Sequence, residues 1–276
     1  MLKRIVTAVV AIAVFLPILY FSDTVVFAAA LGVLSLIATL EMLRCTGLWR
    51  KWMLTAPLAL CAASFPLIAF WLVAPSVAYV GALVMVLLSL YAFAVMTFSR
   101  GKITLPNVSI ALTSGFYIVA AFTALSLLRY TVHLGKYVYL ICFIGAWVTD
   151  TFAYFTGRFF GKHKLIPDVS PKKTVEGSIG GIVFCVLSML LYGYIVSAIT
   201  KGAVSANYIL LAISGLLISI VSQVGDLLMS AIKRAYGIKD YGRLFPGHGG
   251  VLDRFDSVLA VALVLVLITP FGNLFS

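Results

Sequence analysis

Residues 206–233 read ANYILLAISGLLISIVSQVGDLLMSAIK, and the reading of this stretch decides the fold. It is long and apolar enough for a helix, at ~1.5 Å rise per residue, to cross roughly 30 Å of hydrocarbon. Its polar residues are ordered: Ser219, Ser222, Asp226, Ser230 and Lys233 follow steps of three, four, four and three, which places them on one helical face. Asp226 lies about 10 Å deeper than Lys233 along such a helix. An ionised carboxylate at that depth is costly unless it is paired or bound to a metal. A plain helix-packing contact is the blander reading, and a working site is the favoured one, because acids inside membrane spans are usually functional.

The rest of the chain repeats the apolar character. Of 276 residues, 63% are hydrophobic and 11% charged, with a mean hydropathy of +1.13; soluble domains run about 45–50% apolar and about 25% charged. Hydropathy divides the chain into about nine candidate transmembrane helices, near 5–21, 24–43, 53–73, 76–98, 108–128, 137–160, 178–198, 206–233 and 255–274. The expected fold class is therefore all-α, a polytopic helical membrane protein. Two regions are expected: N-terminal transmembrane helices over 1–130, and a C-terminal transmembrane catalytic region over 131–276 with two cytoplasmic loops. Pro17, Pro57 and Pro66 fall within spans as candidate kinks. The first twenty residues have the basic start and apolar run of a signal peptide, and without a clear cleavage site they read as an uncleaved first span.

The net charge of +11 is assigned to the membrane surface and not to nucleic acid, because Lys and Arg collect on the cytoplasmic side of membrane proteins. With the N-terminus cytoplasmic and spans alternating, 17 basic residues fall inside and three (Arg129, Lys136 and Lys201) outside. That asymmetry predicts an extracytoplasmic (periplasmic) C-terminus. It also puts the two longest polar loops, 158–177 and 234–254, on the cytoplasmic side. Cys45, Cys61, Cys142 and Cys185 show no CxxC spacing and no neighbouring His, so they read as buried thiols.

Charge gathers in residues 222–256, which hold four of the nine carboxylates and five of the twenty Lys/Arg. Asp253 and Asp256, three apart at the start of the last span, suit helix capping. Beside them, PGHGG at 246–250 offers flexible backbone and a helix N-terminus to an oxyanion. With Arg254, these features suit a metal-bound phosphate. His248 alone reads as a loop residue, and Lys172 and Lys173 serve equally as topology determinants or phosphate binders. In the sixth span Asp150, Tyr154 and Arg158 form a second polar stripe. Glu176 suits the start of the seventh helix.

The segment 230–256, SAIKRAYGIKDYGRLFPGHGGVLDRFD, resembles the defining motif of the CDP-diacylglycerol synthase (phosphatidate cytidylyltransferase) family: S-x-I-K-R, then K-D after four residues, P-x-H-G-G and D-R-x-D. SQVGDL at 222–227, DTFAYFTGRFFGK at 150–162 and SPKKTVEG at 170–177 are similar to the family's segments too. The N-terminal half is similar only in hydropathy. The resemblance implies transfer of CMP from CTP to phosphatidic acid, giving CDP-diacylglycerol and pyrophosphate. It also implies a divalent cation, normally Mg²⁺, with room for a second cation, monovalent or divalent.

By the same resemblance, Asp226, Lys233 and Asp253 are expected to be catalytic. Asp226, Asp253, Asp256 and Asp150 are the expected metal ligands. Ser222, Lys172, Lys173, Lys239, Asp240, His248, Gly249, Gly250 and Arg254 are expected to bind substrate. The expected partners are CTP, phosphatidic acid and membrane lipids, with no nucleic acid and with a second copy in a homodimer. The expected location is a bacterial inner (cytoplasmic) membrane, with the site facing the cytoplasm. An ion-coupled transporter is the alternative suggested by Asp150 and Asp226, but outer-half ionisable residues are almost absent. The DG-x-x-AR pattern of CDP-alcohol phosphotransferases is not found.

Overall fold

The structure, a computed structural model, describes residues 2–276, with side chains at 7, 9–11 and 13–276. The side chains of Lys3 and Arg4, whose charges are counted above on the inside, lie outside those described. The described chain forms nine α-helices: α1 (Leu2–Tyr20), α2 (Val25–Cys45), α3 (Trp52–Trp71), α4 (Ala74–Phe98), α5 (Leu105–Tyr130), α6 (Gly135–Phe160), α7 (Val175–Ile199), α8 (Tyr208–Ala235) and α9 (Leu252–Ile268). A 3₁₀ turn, Thr269–Phe271, follows α9. Each predicted span overlaps one of these helices, the last running past α9 and the 3₁₀ turn to residue 274. Eight are long and apolar enough to cross a membrane among the described residues, and α1 contributes a shorter apolar stretch, Val9–Tyr20. The protein is a polytopic, all-α membrane protein.

Local chemistry explains several boundaries. Thr24 caps α2 by accepting a hydrogen bond from the Val26 N–H, and Thr174 caps α7 by accepting from the Gly177 N–H. Pro57 and Pro66 do not end α3, which runs through both; neighbouring helices can satisfy freed backbone groups in lipid. A hairpin not expected from the sequence joins α6 to α7: β1 (Lys164–Ile166) pairs antiparallel with β2 (Ser170–Thr174), Lys164 opposite Thr174 and Ile166 opposite Ser170.

Two compact units form, each from segments distant in sequence: Met1–Tyr130 with Tyr236–Arg254, and Thr131–Ala235 with Phe255–Ser276. The first unit packs α2, α3 and α5 against one another. A Cβ at Gly32 would stand 2.6 Å from the Ala63 carbonyl oxygen, so glycine allows the close approach of α2 and α3. Leu43, Leu48, Leu54, Leu58, Ala92, Val95, Ile103, Val108 and Ala111 form its core. In the second unit α6 packs on α7 and α8, and α7 on α8. There Gly177 lies so close to α6 that a Cβ would reach 2.6 Å from the Ala153 carbonyl oxygen.

Candidate active site

In the second unit the polar stripe of α8 folds as its spacing predicts and meets two further acids. Ser219 accepts a buried hydrogen bond from Thr149 of α6 at 3.1 Å. Asp226, one turn after the fully buried Ser222, accepts from Ser230 at 3.4 Å. Gly225 is the residue that lets α9 lie against α8 at this level: a Cβ there would stand 2.6 Å from Ala260 Cβ and 3.0 Å from the Asp256 carbonyl oxygen. Asp150 of α6 accepts from Ser257 Oγ at 3.0 Å, and Asp256 accepts from the Ser257 N–H at 2.9 Å. Asp150 and Asp256 each feel the charge of Asp226, and Asp256 that of Asp150 as well. Three carboxylates therefore share one half-buried region of a membrane protein, an arrangement that calls for compensating cations.

Two lysines answer that demand. The β1–β2 hairpin carries Lys173 to Asp226, Nζ to Oδ2 2.5 Å, with both side chains about a quarter exposed. Lys173 also acts on Asp150, and Lys233 on Asp256. The hairpin is pinned at its base. Glu176, in the first turn of α7, accepts from the Lys162 and His163 N–H groups at 3.1 and 3.2 Å, and its Oε1 lies 2.6 Å from His163 Nδ1. Glu176 thus does more than start a helix. Arg158 donates to Tyr154 at 3.0 Å, which resolves the second stripe into an Arg–Tyr pair and an acid directed elsewhere.

The first unit uses its carboxylates differently. The segment 236–254 turns tightly at PGHGG, where Gly247 and Gly249 take positive φ of 78° and 90°. Phe245 and Gly249 exchange two backbone hydrogen bonds, at 2.9 and 3.1 Å. Asp253 Oδ2 accepts from the Tyr241 N–H at 2.8 Å and the Gly250 N–H at 2.9 Å. Glu41 of α2, only 3% exposed, accepts from the Val251 N–H at 3.0 Å and the Leu252 N–H at 2.9 Å. Its carboxylate caps the start of α9 from a helix 210 positions away. Gly242 and Gly250 lie against Glu41, where no side chain fits.

The predicted residues therefore fall into two sets. Asp150, Asp226, Asp256, Lys173, Lys233 and Ser222 belong to the second unit, where Lys172 is exposed on β2; Lys239, Asp240, His248, Gly249, Gly250, Asp253 and Arg254 belong to the first. One expectation needs correction. The Gly249 and Gly250 N–H groups do not stand open to an oxyanion, because Phe245 and Asp253 take them, and the N–H groups entering α9 go to Glu41. His248 Nδ1 is buried without a hydrogen-bond partner among the described residues. Glu41 escaped the sequence reading, although a lone acid in an apolar span is the same signal that marked Asp226. Among the described residues no three His, Cys, Asp or Glu side chains converge as a metal-binding group. The donor chemistry at Asp150, Asp226 and Asp256, all carboxylate oxygen, nonetheless suits a hard divalent cation, and the Lys173 ammonium shows that the cluster draws positive charge.

Comparison with known proteins gives the family. A model of the cytidylyltransferase family matches residues 2–271. The phosphatidate cytidylyltransferase of Staphylococcus haemolyticus (strain JCSC1435) is 33% identical over 265 residues, covering 95% of this chain and 96% of the relative. That of Staphylococcus aureus (strain COL) is 34% identical over 263 residues, with the same coverage. Over 131 residues, 48% of either chain, the Staphylococcus saprophyticus protein of that name reaches 47% identity. The chain belongs to the cytidylyltransferase family.

Proposed function

We propose that this protein is a CTP:phosphatidate cytidylyltransferase whose chemistry is centred on Asp150, Asp226 and Asp256 with Lys173 and Lys233. The observation that carries the reading is the Lys173–Asp226 ion pair on otherwise apolar helices, with Asp150 and Asp256 joined through Ser257 in the same unit; the activity named for the Staphylococcus relatives supplies the substrates. A phosphate oxygen of phosphatidate attacks the α-phosphorus of CTP, the bond from that phosphorus to the bridging oxygen breaks, and pyrophosphate leaves with the electron pair. The nucleophile is already ionised, so the demand on the protein is to bring two polyanions together in line and to offset their charge. Lys173 and Lys233 contribute fixed positive charge to phosphate oxygens.

Asp150, Asp226 and Asp256 are the residues that would hold Mg²⁺, and a second cation has the same donors available. A divalent ion held there would offset the charge of the triphosphate and of the leaving pyrophosphate. Asp253, whose Oδ2 serves the loop backbone, enters the proposal as the residue that fixes the loop, with metal ligation as its second assigned role. Lys239, Asp240 and Arg254 supply the exposed polar groups of the same segment, His248 is half-buried beside them, and Lys172 extends the basic hairpin.

The remaining assignments follow the same reading: a bacterial inner membrane, the N-terminus and the site on the cytoplasmic side, and a homodimer. No observation favours ion-coupled transport. The test is direct: purified protein in detergent is given CTP labelled at the α-phosphorus, phosphatidate and Mg²⁺. Label in the lipid phase that is lost on chelation is the expected result, and the absence of lipid-linked label across metals and detergents would overturn the proposal.

A further inference from the structure

The first unit contains a cavity of about 490 Å³, within the range of small-ligand sites, lined by Lys51, Trp52, Phe98, Ser99, Arg100 and Lys102 among others. It lies where α3 begins and α4 ends, so the helix geometry places it at one membrane surface. The turn that supplies its cations is built: Arg100 and Gly101 take positive φ of 52° and 81°, and the Ser99 hydroxyl accepts from the Ile103 N–H at 3.0 Å. Lys51 Nζ is held by the Lys102 carbonyl at 3.0 Å and by Asn107 Oδ1. An ammonium has three N–H groups, so one remains for a ligand.

Among the described residues no acid forms an ion pair with these cations. The sequence has no Asp or Glu between Glu41 and Asp150, and among the described residues neither Arg100 nor Lys102 is in an ion pair. Beside the cations stand apolar groups that water does not favour, Trp52 at 70% and Phe98 at 83% exposed. Aromatic side chains at this level belong to the interfacial belt, next to acyl chains and head groups. A topology determinant needs only charge, whereas this site joins cations, a hydroxyl and a walled volume to an apolar rim. We infer that it binds the head group of an anionic glycerophospholipid from the surrounding leaflet, with phosphate at Lys51, Arg100 and Lys102 and the glycerol end against Trp52 and Phe98. The inference rests on the membrane fold and is independent of the catalytic reading.

Native mass spectrometry of the detergent-solubilised full chain, titrated with dioleoylphosphatidylglycerol, reads this out. The tightest bound lipid should be retained at least tenfold less by R100Q/K102Q than by the wild type, whereas K136Q/K201Q, at other basic positions, should retain it. Thermal melting of each variant confirms that it is folded, and Arg100→Lys should restore most of the retention. Equal retention by R100Q/K102Q overturns the inference. So does equal retention of dioleoylphosphatidylcholine, which indicates an apolar slot only, or displacement by millimolar inorganic phosphate or CTP, which indicates a site for soluble anions.

Discussion

Glu41 and Asp253 in the first unit and Asp150, Asp226 and Asp256 in the second are all carboxylates placed by apolar helices, and Glu41 and Asp226 are satisfied in opposite ways. Glu41 and Asp253 spend oxygens on backbone N–H groups at 2.8–3.0 Å, so their charge is consumed in holding a loop and a helix start. Of the other three, Asp226 pairs with the Lys173 ammonium, while Asp150 and Asp256 accept from the Ser257 hydroxyl and N–H. Backbone donors are fixed and cannot leave, while ammonium groups on flexible stems can give way to a ligand. The comparison teaches that an acid held by two backbone donors is committed to the fold, whereas one paired with an ammonium keeps an exchangeable partner.

The largest effect expected is on turnover. Asp226→Asn and Asp256→Asn should each lower kcat about 100-fold or more, the scale of losing one fixed electrostatic group at a reacting phosphate. Asp256→Asn should leave the melting temperature unchanged or higher, since it removes one of three mutually repelling charges. Near-normal turnover in both variants would dissolve the distinction between the two sets of acids. Next comes Lys173→Met, which frees Asp226 of its ammonium; turnover should fall about tenfold or more, with a change in the Mg²⁺ concentration at half-maximal rate. An unchanged metal dependence would separate Lys173 from the cation site.

Stability effects follow, and they belong to the other unit. Glu41→Ala leaves two backbone donors without an acceptor and should cost about 2–4 kcal/mol in unfolding free energy. Glu41→Gln keeps one acceptor oxygen and should recover part of that loss. Gly250→Ala, which pushes a methyl into the Glu41 carboxylate, should destabilise in the same direction by about 1–3 kcal/mol. If Glu41→Ala melted like the wild type, the backbone clamp would have no energetic content. The smallest effect is expected at the base of the hairpin: Glu176→Gln weakens its hold on His163 and should raise the KM for CTP a few-fold with little change in kcat.

These contrasts also mark what could be read from the chain. The helices were legible because lipid demands unbroken apolar length, and predicted starts such as 53 and 76 fall within a few residues of Trp52 and Ala74. The α8 stripe was legible for the same reason: Asp226 is conspicuous where every other choice is cheaper. The β1–β2 hairpin was not, because KLI and SPKKT are short and polar and carry no alternation that distinguishes a strand from a loop. Glu41 carried the same mark as Asp226, a lone acid in an apolar span, but its role was not legible, because its partners lie more than two hundred residues away and donate from the backbone. PGHGG was recognised as a turn, yet the destination of its N–H groups depended on Glu41 and Asp253.

The central claim is that the three acids of the second unit serve CMP transfer to phosphatidate. A single-turnover assay with α-phosphorus-labelled CTP, run on wild type, Asp226→Asn and Glu41→Gln at equal folded concentration, tests it most directly. The account predicts Mg²⁺-dependent label in lipid for wild type, label reduced at least 100-fold for Asp226→Asn, and near-wild-type rates for the folded fraction of Glu41→Gln. Equal lipid labelling by wild type and Asp226→Asn would contradict it.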